Sequence, residues 1–325
     1  TPSTGAAFPG ANPLLGNGNF LLPIGRSGYD ALQVVFRQVA QHPAPGIVSS
    51  NLQISYNLSR VVTSSGGGSD QFFSAGSYDY DDPNQYMGRN GLDHKHQINI
   101  GGSATLKYGP RIGLIGHFYS APPTTLLLDA SDSTGGIFTT DITGDGSIGD
   151  VAPGTLPGDY MHRIKAKDIG AYVSNFNSTY AGTLTPAGKA LVNAGIMTAA
   201  QLQAIGATIQ PIATPASNIA LPNPTTRSID ASFSYPIILS KVREGMSLEP
   251  EIDFYNVGNF ANFSNNISGT LLNTTSAGGA SNTTTGYLTG PNNYDTLNAD
   301  RIQRGSGTYN VGAARTTEFR LKLNF

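Results

Sequence analysis

NLQISYNLS, Asn51 to Ser59, places Leu52, Ile54, Tyr56 and Leu58 at every second position, with Gln53, Ser55, Asn57 and Ser59 between them. Successive side chains of an extended chain point to opposite sides, so this is a strand with one apolar and one polar face. The same alternation runs through Ile98, Ile100, Gly102, Ala104, Leu106 and Tyr108, through Ile229, Ala231, Phe233, Tyr235 and Ile237, and through Leu248, Pro250, Ile252 and Phe254. EFRLKLNF, Glu318 to Phe325, sets Phe319, Leu321, Leu323 and Phe325 against Glu318, Arg320, Lys322 and Asn324. Tyr29 to Val39 and Arg111 to Ser120 are weaker strand candidates: both faces carry apolar residues, and Gly113 and Gly116 interrupt the second. The pattern predicts seven strands.

The connections between them alternate short and long. Ala40 to Ser50, the Gly109-Pro110 corner and Ile238 to Gly245 are short, whereas Val61 to Lys95, Ala121 to Thr226 and Val257 to Ala314 are long. An antiparallel up-and-down meander puts alternate connections at opposite ends, so all long loops fall on one side. That asymmetry is how a transmembrane β-barrel of the outer membrane is built. The expected fold is therefore all-β, an antiparallel meander forming part of such a barrel. It should be open at both edges, with Leu52, Ile54, Tyr56, Ile98, Ile100, Phe233, Ile252, Phe254, Leu321 and Leu323 on its outer face. Glu249, Glu251 and Asp253 of the sixth strand would share the polar face with Arg320 and Lys322 of the seventh, where opposite charges can pair. Phe118, Tyr119, Tyr255 and Phe325, near strand ends, are either girdle aromatics or ordinary strand residues.

Composition agrees. Of 325 residues only 12% are charged, with Gly 40, Pro 20, Tyr 15, Phe 14 and no Trp, a balance that favours strands and long loops over charged helices. The net charge of -2 offers no broad footprint for nucleic acid. Zero cysteines exclude disulfides and thiol chemistry. No apolar run reaches the roughly 18 residues of a membrane helix. The opening TPSTGAAFPGANP has neither Met nor a signal-like apolar run, so an export signal is expected to have been removed or to lie upstream.

Within the longest loop, Ala121 to Thr226, Thr185 to Ala207 predicts a helical hairpin. Thr185-Pro186 suits a helix start, Thr198 caps a second helix after Gly195, and Leu191, Val192, Leu202 and Ile205 would pack between the two. DITGDGSIGD, Asp141 to Asp150, is the one ligand-like cluster. Asp141, Thr143, Asp145 and Ser147 occupy positions 1, 3, 5 and 7 of a calcium loop, with Gly146 at the turn. Position 12 is Ala152, so Asp150 would have to supply the missing acid, and the competing reading is a plain Asp/Gly turn. Asp141 and Asp145 should in either case aim at a common point. Catalysis is not expected: His42, His94, His96, His117 and His162 are scattered, and no G-x-S-x-G, H-E-x-x-H or P-loop occurs. His94 and His96 read as polar residues at the wet end of a strand. The sequons at Asn57, Asn177, Asn262, Asn266, Asn273 and Asn282 read as chance products of an Asn/Ser/Thr-rich chain.

Several stretches, in order, resemble the TonB-dependent outer-membrane receptors, particularly the Oar-like branch with a carboxypeptidase-regulatory-like domain. They are NLQISYNLSR (Asn51 to Arg60), GLDHKHQINI (Gly91 to Ile100), TGDG (Thr143 to Gly146), LTPAGKALVNAGIMTAAQLQAIGA (Leu184 to Ala207), RSIDASFSYPI (Arg227 to Ile237), LEPEIDFYNVGNFANF (Leu248 to Phe263) and RIQRGSGTYNVGAARTTEFRLKLNF (Arg301 to Phe325). The resemblance implies the C-terminal portion of a barrel of about 22 strands. It further implies outer-membrane lipid around the barrel, a plug domain and TonB contact contributed by a region N-terminal to this sequence, and uptake of a substrate that the sequence does not identify. A soluble or surface-anchored adhesive β protein would show the same strand pattern, with its apolar face packed against a second layer.

Overall fold

The computed structural model describes residues 25–64, 79, 81–82, 84–129, 135–212, 225–241, 243–262, 270–271 and 313–325. Seven long strands form, β1 Ser27–Ala44, β2 Ile47–Thr63, β3 His96–Leu106, β4 Arg111–Tyr119, β5 Thr226–Ser234, β6 Ser247–Tyr255 and β7 Thr316–Asn324, each at an expected segment, but β1 and β2 run on through the expected Ala40 to Ser50 connection and leave only a tight turn at Pro45-Gly46. They lie side by side in chain order, every neighbouring pair antiparallel. Among the described residues the sheet does not close, and β1 and β7 are its edges. The three short connections share one end of the meander and the three long ones the other. At the Gly109-Pro110 corner, Leu106 N–H donates to Pro110 O at 2.7 Å, and the chain reverses through Gly109 at φ 106°, which a Cβ would disfavour.

Register carries the two-faced pattern across the sheet. Val34, Tyr56, Ile98 and Phe118 stand in one cross-strand row, Phe36, Ile54, Ile100, Gly116 and Ile229 in the next, and Ala104, Ile112, Phe233, Ile252 and Phe319 in a third. On the opposite face the rows read Ser55, Asn99, His117, Ser228 and Asn51, Ser103, Gly113, Ser232, Asp253, Glu318. Val35, Val39 and Ile115 are apolar intruders on that polar face, in the two strands whose sequences are apolar on both sides.

Among the described residues the apolar face of the sheet contributes nothing to the hydrophobic core. None of the ten residues expected on the outer apolar face is buried, and Phe319 and Leu321 are 79% and 67% exposed. Apart from Gly116, the buried residues of the seven strands are polar, Ser59, Ser228, Ser234, Glu249 and Asp253, and these five lie on the other face. Charges there pair across strands. Arg320 bridges Glu251 at 3.2 Å and also pairs with Asp253, Lys322 reaches Glu251 at 2.5 Å, and Arg111 reaches Glu249 at 3.2 Å. The girdle expectation needs correcting at two positions. Tyr119 bonds Asn99 Oδ1 at 2.9 Å and Tyr255 donates to Glu318 Oε2 at 3.2 Å, so both rings belong to the polar face. The period of two requires this, since each follows an apolar-face residue, Phe118 or Phe254.

The hydrophobic core lies off the sheet. Leu126, Leu128, Ala152, Tyr160, Ile169, Val173, Phe176, Ile209 and Ile212, all from the β4–β5 connection, cluster with Leu271 of the β6–β7 connection. Leu271 enters through a short parallel pairing of Thr270–Leu271 with Leu127–Leu128. Helices α1 Gly136–Thr139, α2 Ile169–Thr179, α3 Pro186–Asn193 and α4 Ala199–Ala204 frame this unit. Thr185 caps α3 by accepting from Gly188 N–H, and Thr198 forms a capping box with Gln201. Leu202 is buried, but Ile205 is 67% exposed, which corrects the expected packing. The helix α4 ends at Ala204, so Ile205 is its non-helical C-cap rather than part of the packed helix face, and Gly206 follows at φ 76°. The unit seats on the β2–β3 connection through Arg89 N–H to Pro157 O at 2.9 Å. A Cβ on Gly88 would meet Pro157 O at 2.3 Å, and one on Gly158 would meet Arg89 O at 2.5 Å.

Candidate functional site

The acidic turn Asp141 to Asp150 hangs from this core. Leu128 N–H donates to Asp150 O at 2.9 Å, and Val151 and Ala152, which follow directly, are buried. Gly144, Gly146 and Gly149 all take positive φ, at 87°, 83° and 82°, which lets the backbone fold its N–H groups inward. Asp141 accepts from Gly144 N–H at 2.5 Å and Gly146 N–H at 3.1 Å. Asp150 accepts from Ile142 and Thr143 N–H, each at 2.8 Å, and from the Thr143 hydroxyl at 2.9 Å. Asp145 accepts from Ser147 N–H at 2.7 Å and from its hydroxyl at 2.6 Å. One carboxylate oxygen from each of Asp141, Asp145 and Asp150 lies within 4.8 Å of the others. Asp141, Thr143, Asp145, Ser147 and Asp150 are thus brought together.

Asp141 and Asp150 are buried, and desolvation raises both carboxyl groups above their ordinary value. The backbone N–H groups pull the other way, while Asp145 raises Asp141 and Asp141 raises Asp150 by repulsion. Position 12, Ala152, is part of the hydrophobic core, so no bidentate acid arrives from there. The donor set suits a hard oxygen-seeking cation, with its lone pairs shared with the loop's own N–H groups.

The histidines do not converge on one point. His94 Nδ1 lies 2.6 Å from Ser120 O, His96 Nδ1 lies 2.9 Å from the Tyr56 hydroxyl, and His117 Nδ1 lies 2.7 Å from Asn99 Oδ1. Among the described residues no cluster of three potential metal ligands includes a histidine.

Two of the sequon asparagines are structural, a role the sequence does not announce. Asn177 accepts from Ile212 N–H at 2.7 Å and donates to Ile212 O at 2.9 Å, copying a β-bridge with its amide. Asn262 does the same to Arg227, with both distances 2.7 Å, and pins the exit of β6 to the start of β5. Asn256, buried at φ 47°, donates to Ala313 O at 2.7 Å and so ties the two ends of the β6–β7 connection together. Their partners lie 35 and 57 residues away in sequence, beyond any local pattern. Asn266, Asn273 and Asn282 lie outside the described residues.

No family model, no curated protein and no solved structure matches the chain.

Proposed function

We propose that the chain is the C-terminal barrel segment of an outer-membrane TonB-dependent receptor or transporter of the Oar-like kind, whose long connections reach the cell surface and engage a ligand for uptake. The observation that carries this reading is the two-faced sheet, whose apolar face is left unburied among the described residues and whose other face is polar and charge-paired. A soluble sandwich or helix-covered sheet would bury the first face. Strands β3 to β7, of nine to eleven residues, match the length of a tilted transmembrane strand. Open backbone edges are too costly in lipid. On this reading, strands beyond those described would complete β1 and β7, and the plug and the TonB contact would belong to another part of the receptor. The alternative, a surface adhesive or structural β protein without transport, predicts a soluble fragment.

The test is extraction and surface proteolysis of the full-length protein in cells. The receptor reading expects release from the outer-membrane fraction only by detergent, with protease added to intact cells cutting within 121–226 and sparing the sheet. Monodisperse protein in detergent-free buffer would overturn it.

For the acidic turn we propose weak calcium binding by Asp141, Asp145 and Asp150 with the Thr143 and Ser147 hydroxyls, nearer the millimolar range of extracellular modules than that of sensors. Because the folded carboxyl groups titrate above their unfolded value, the folded form holds protons more tightly. Their contribution to stability is complete below the unfolded value and is lost as pH rises through the folded one. Without divalent cations, the β4–β5 unit is therefore expected to resist proteolysis better as pH falls from 7 toward 4. Calcium at pH 7 should give the same protection, and Asp145→Ala should abolish that calcium effect. Protection by calcium that is unchanged in Asp145→Ala would remove this loop as the site.

A further inference from the structure

A cleft of about 350 Å³ opens where the β4–β5 unit meets the strand ends. Arg89, Asp93, Lys95 and His96 line it from the β2–β3 connection and the start of β3, and Met161, His162 and Lys165 face them from the β4–β5 connection. Its one carboxylate is already committed. Asp93 pairs with Arg89 through one oxygen and accepts Val61 N–H at 2.8 Å through the other. The nearby Asp159 is also engaged, its Oδ2 accepting Leu156 N–H at 2.8 Å and lying 3.6 Å from Arg163. The cations are less engaged. Among the described residues Lys165 Nζ donates to the carbonyls of Met161 and His162, at 3.4 and 3.0 Å, and neither it nor the exposed Lys95 has a carboxylate partner within 4.0 Å.

We infer that this cleft is a binding site for a small organic anion bearing a carboxylate, phosphate or sulfate group, held by Lys95 and Lys165 with His162 and Arg89 as further donors. Three permanent cations face one carboxylate, in a chain whose overall charge is negative. Low-dielectric walls at Ala121, Pro123 and Met161 strengthen the attraction for an anion that enters. The His162 ring belongs to the same wall: burial holds its pKa below the ordinary value, with Arg89 and Lys95 pushing the same way against Asp159 and Asp93, so it faces an incoming anion as a neutral donor. The volume lies at the lower end of the range for small-molecule sites, which points to a compact ligand rather than a polymer.

The inference names a ligand class for the surface connections, and its test is scored whether or not the protein crosses a membrane. The full chain, in a nonionic detergent that carries no charge, is titrated with sulfate and with citrate by calorimetry. Sulfate is chosen because it does not itself titrate between pH 6 and 8. Saturable millimolar binding is expected, weakened about ten-fold by Lys95→Ala and by Lys165→Met. Strand content should be unchanged by circular dichroism, because neither lysine supports the sheet. A parallel titration with vesicles containing phosphatidic acid separates a free anion from a lipid headgroup: competition between vesicles and sulfate would assign the site to the headgroup phosphate. No saturable binding of any of the three probes, or binding indifferent to both lysine substitutions, would overturn the inference.

Discussion

Replacing Ile100 by arginine is expected to cost about 2–4 kcal/mol of folding free energy in a bilayer, the range for a cation at the midplane of a lipid-facing strand. Ile100 sits near the centre of β3, in the row between Ile54 and Gly116. The control is one residue further on. Gly101 lies on the polar face, where a Cβ would meet nothing within 4 Å, so Gly101→Lys should change stability by under about 1 kcal/mol. Urea-driven unfolding from lipid vesicles measures both. A barrel requires the large difference between adjacent positions, whereas similar costs for the two would mean that the faces are not lipid and water.

Arg320→Met should be the most damaging single change on the polar face. It leaves Asp253, whose side chain is 6% exposed, without its guanidinium partner, while Glu251 keeps Lys322 at 2.5 Å. Orphaning a buried charge costs about 3–5 kcal/mol, but the Arg320 side chain is 41% exposed and water screens the pair. A loss of about 2 kcal/mol is therefore expected. Lys322→Met should cost under about 1 kcal/mol, because Glu251 retains Arg320 at 3.2 Å. Equal losses in the two variants would show that Asp253 does not depend on Arg320. A double substitution should fall short of additivity, since both cations share Glu251.

The sheet was legible because five of its seven strands repeat a two-residue rule that packing does not override. Charge pairing between β6 and β7 followed from parity alone, once Glu251 and Arg320 were placed on the same face. The failures share a cause as well. Tyr119 and Tyr255 were grouped with the girdle by chemical type, although the same parity turns them to the polar side. Helix α2 escaped notice because Ile169, Tyr172, Val173 and Phe176 are β-branched or aromatic, residues that favour strands. Their spacing of three and four was the available signal, and it is the spacing of the buried helix face. Within the acidic turn, the order of Asp and Gly foretold the inward carboxylates. It did not foretell that Asp150 would accept from both Ile142 and Thr143 N–H, because that depends on how Val151 and Ala152 anchor in the core. The amide bridges of Asn177 and Asn262 were invisible for a different reason: an Asn that completes a distant strand looks like any loop Asn.

The absence of cysteine allows a direct test of the central claim, that the apolar face of the sheet meets lipid. Single cysteines at Leu52, Ile54, Ile100 and Phe233, and at Gln53, Ser55, Gly101 and Ser232, would carry nitroxide labels in the full-length protein reconstituted in vesicles. Relaxation by oxygen, which concentrates in hydrocarbon, is compared with relaxation by a water-soluble nickel chelate. The account predicts oxygen dominance at the first four sites and nickel dominance at the second four, alternating residue by residue along β2 and β3. Labels at the first four that are immobilised and shielded from both reagents, as in the interior of a sandwich, would contradict it.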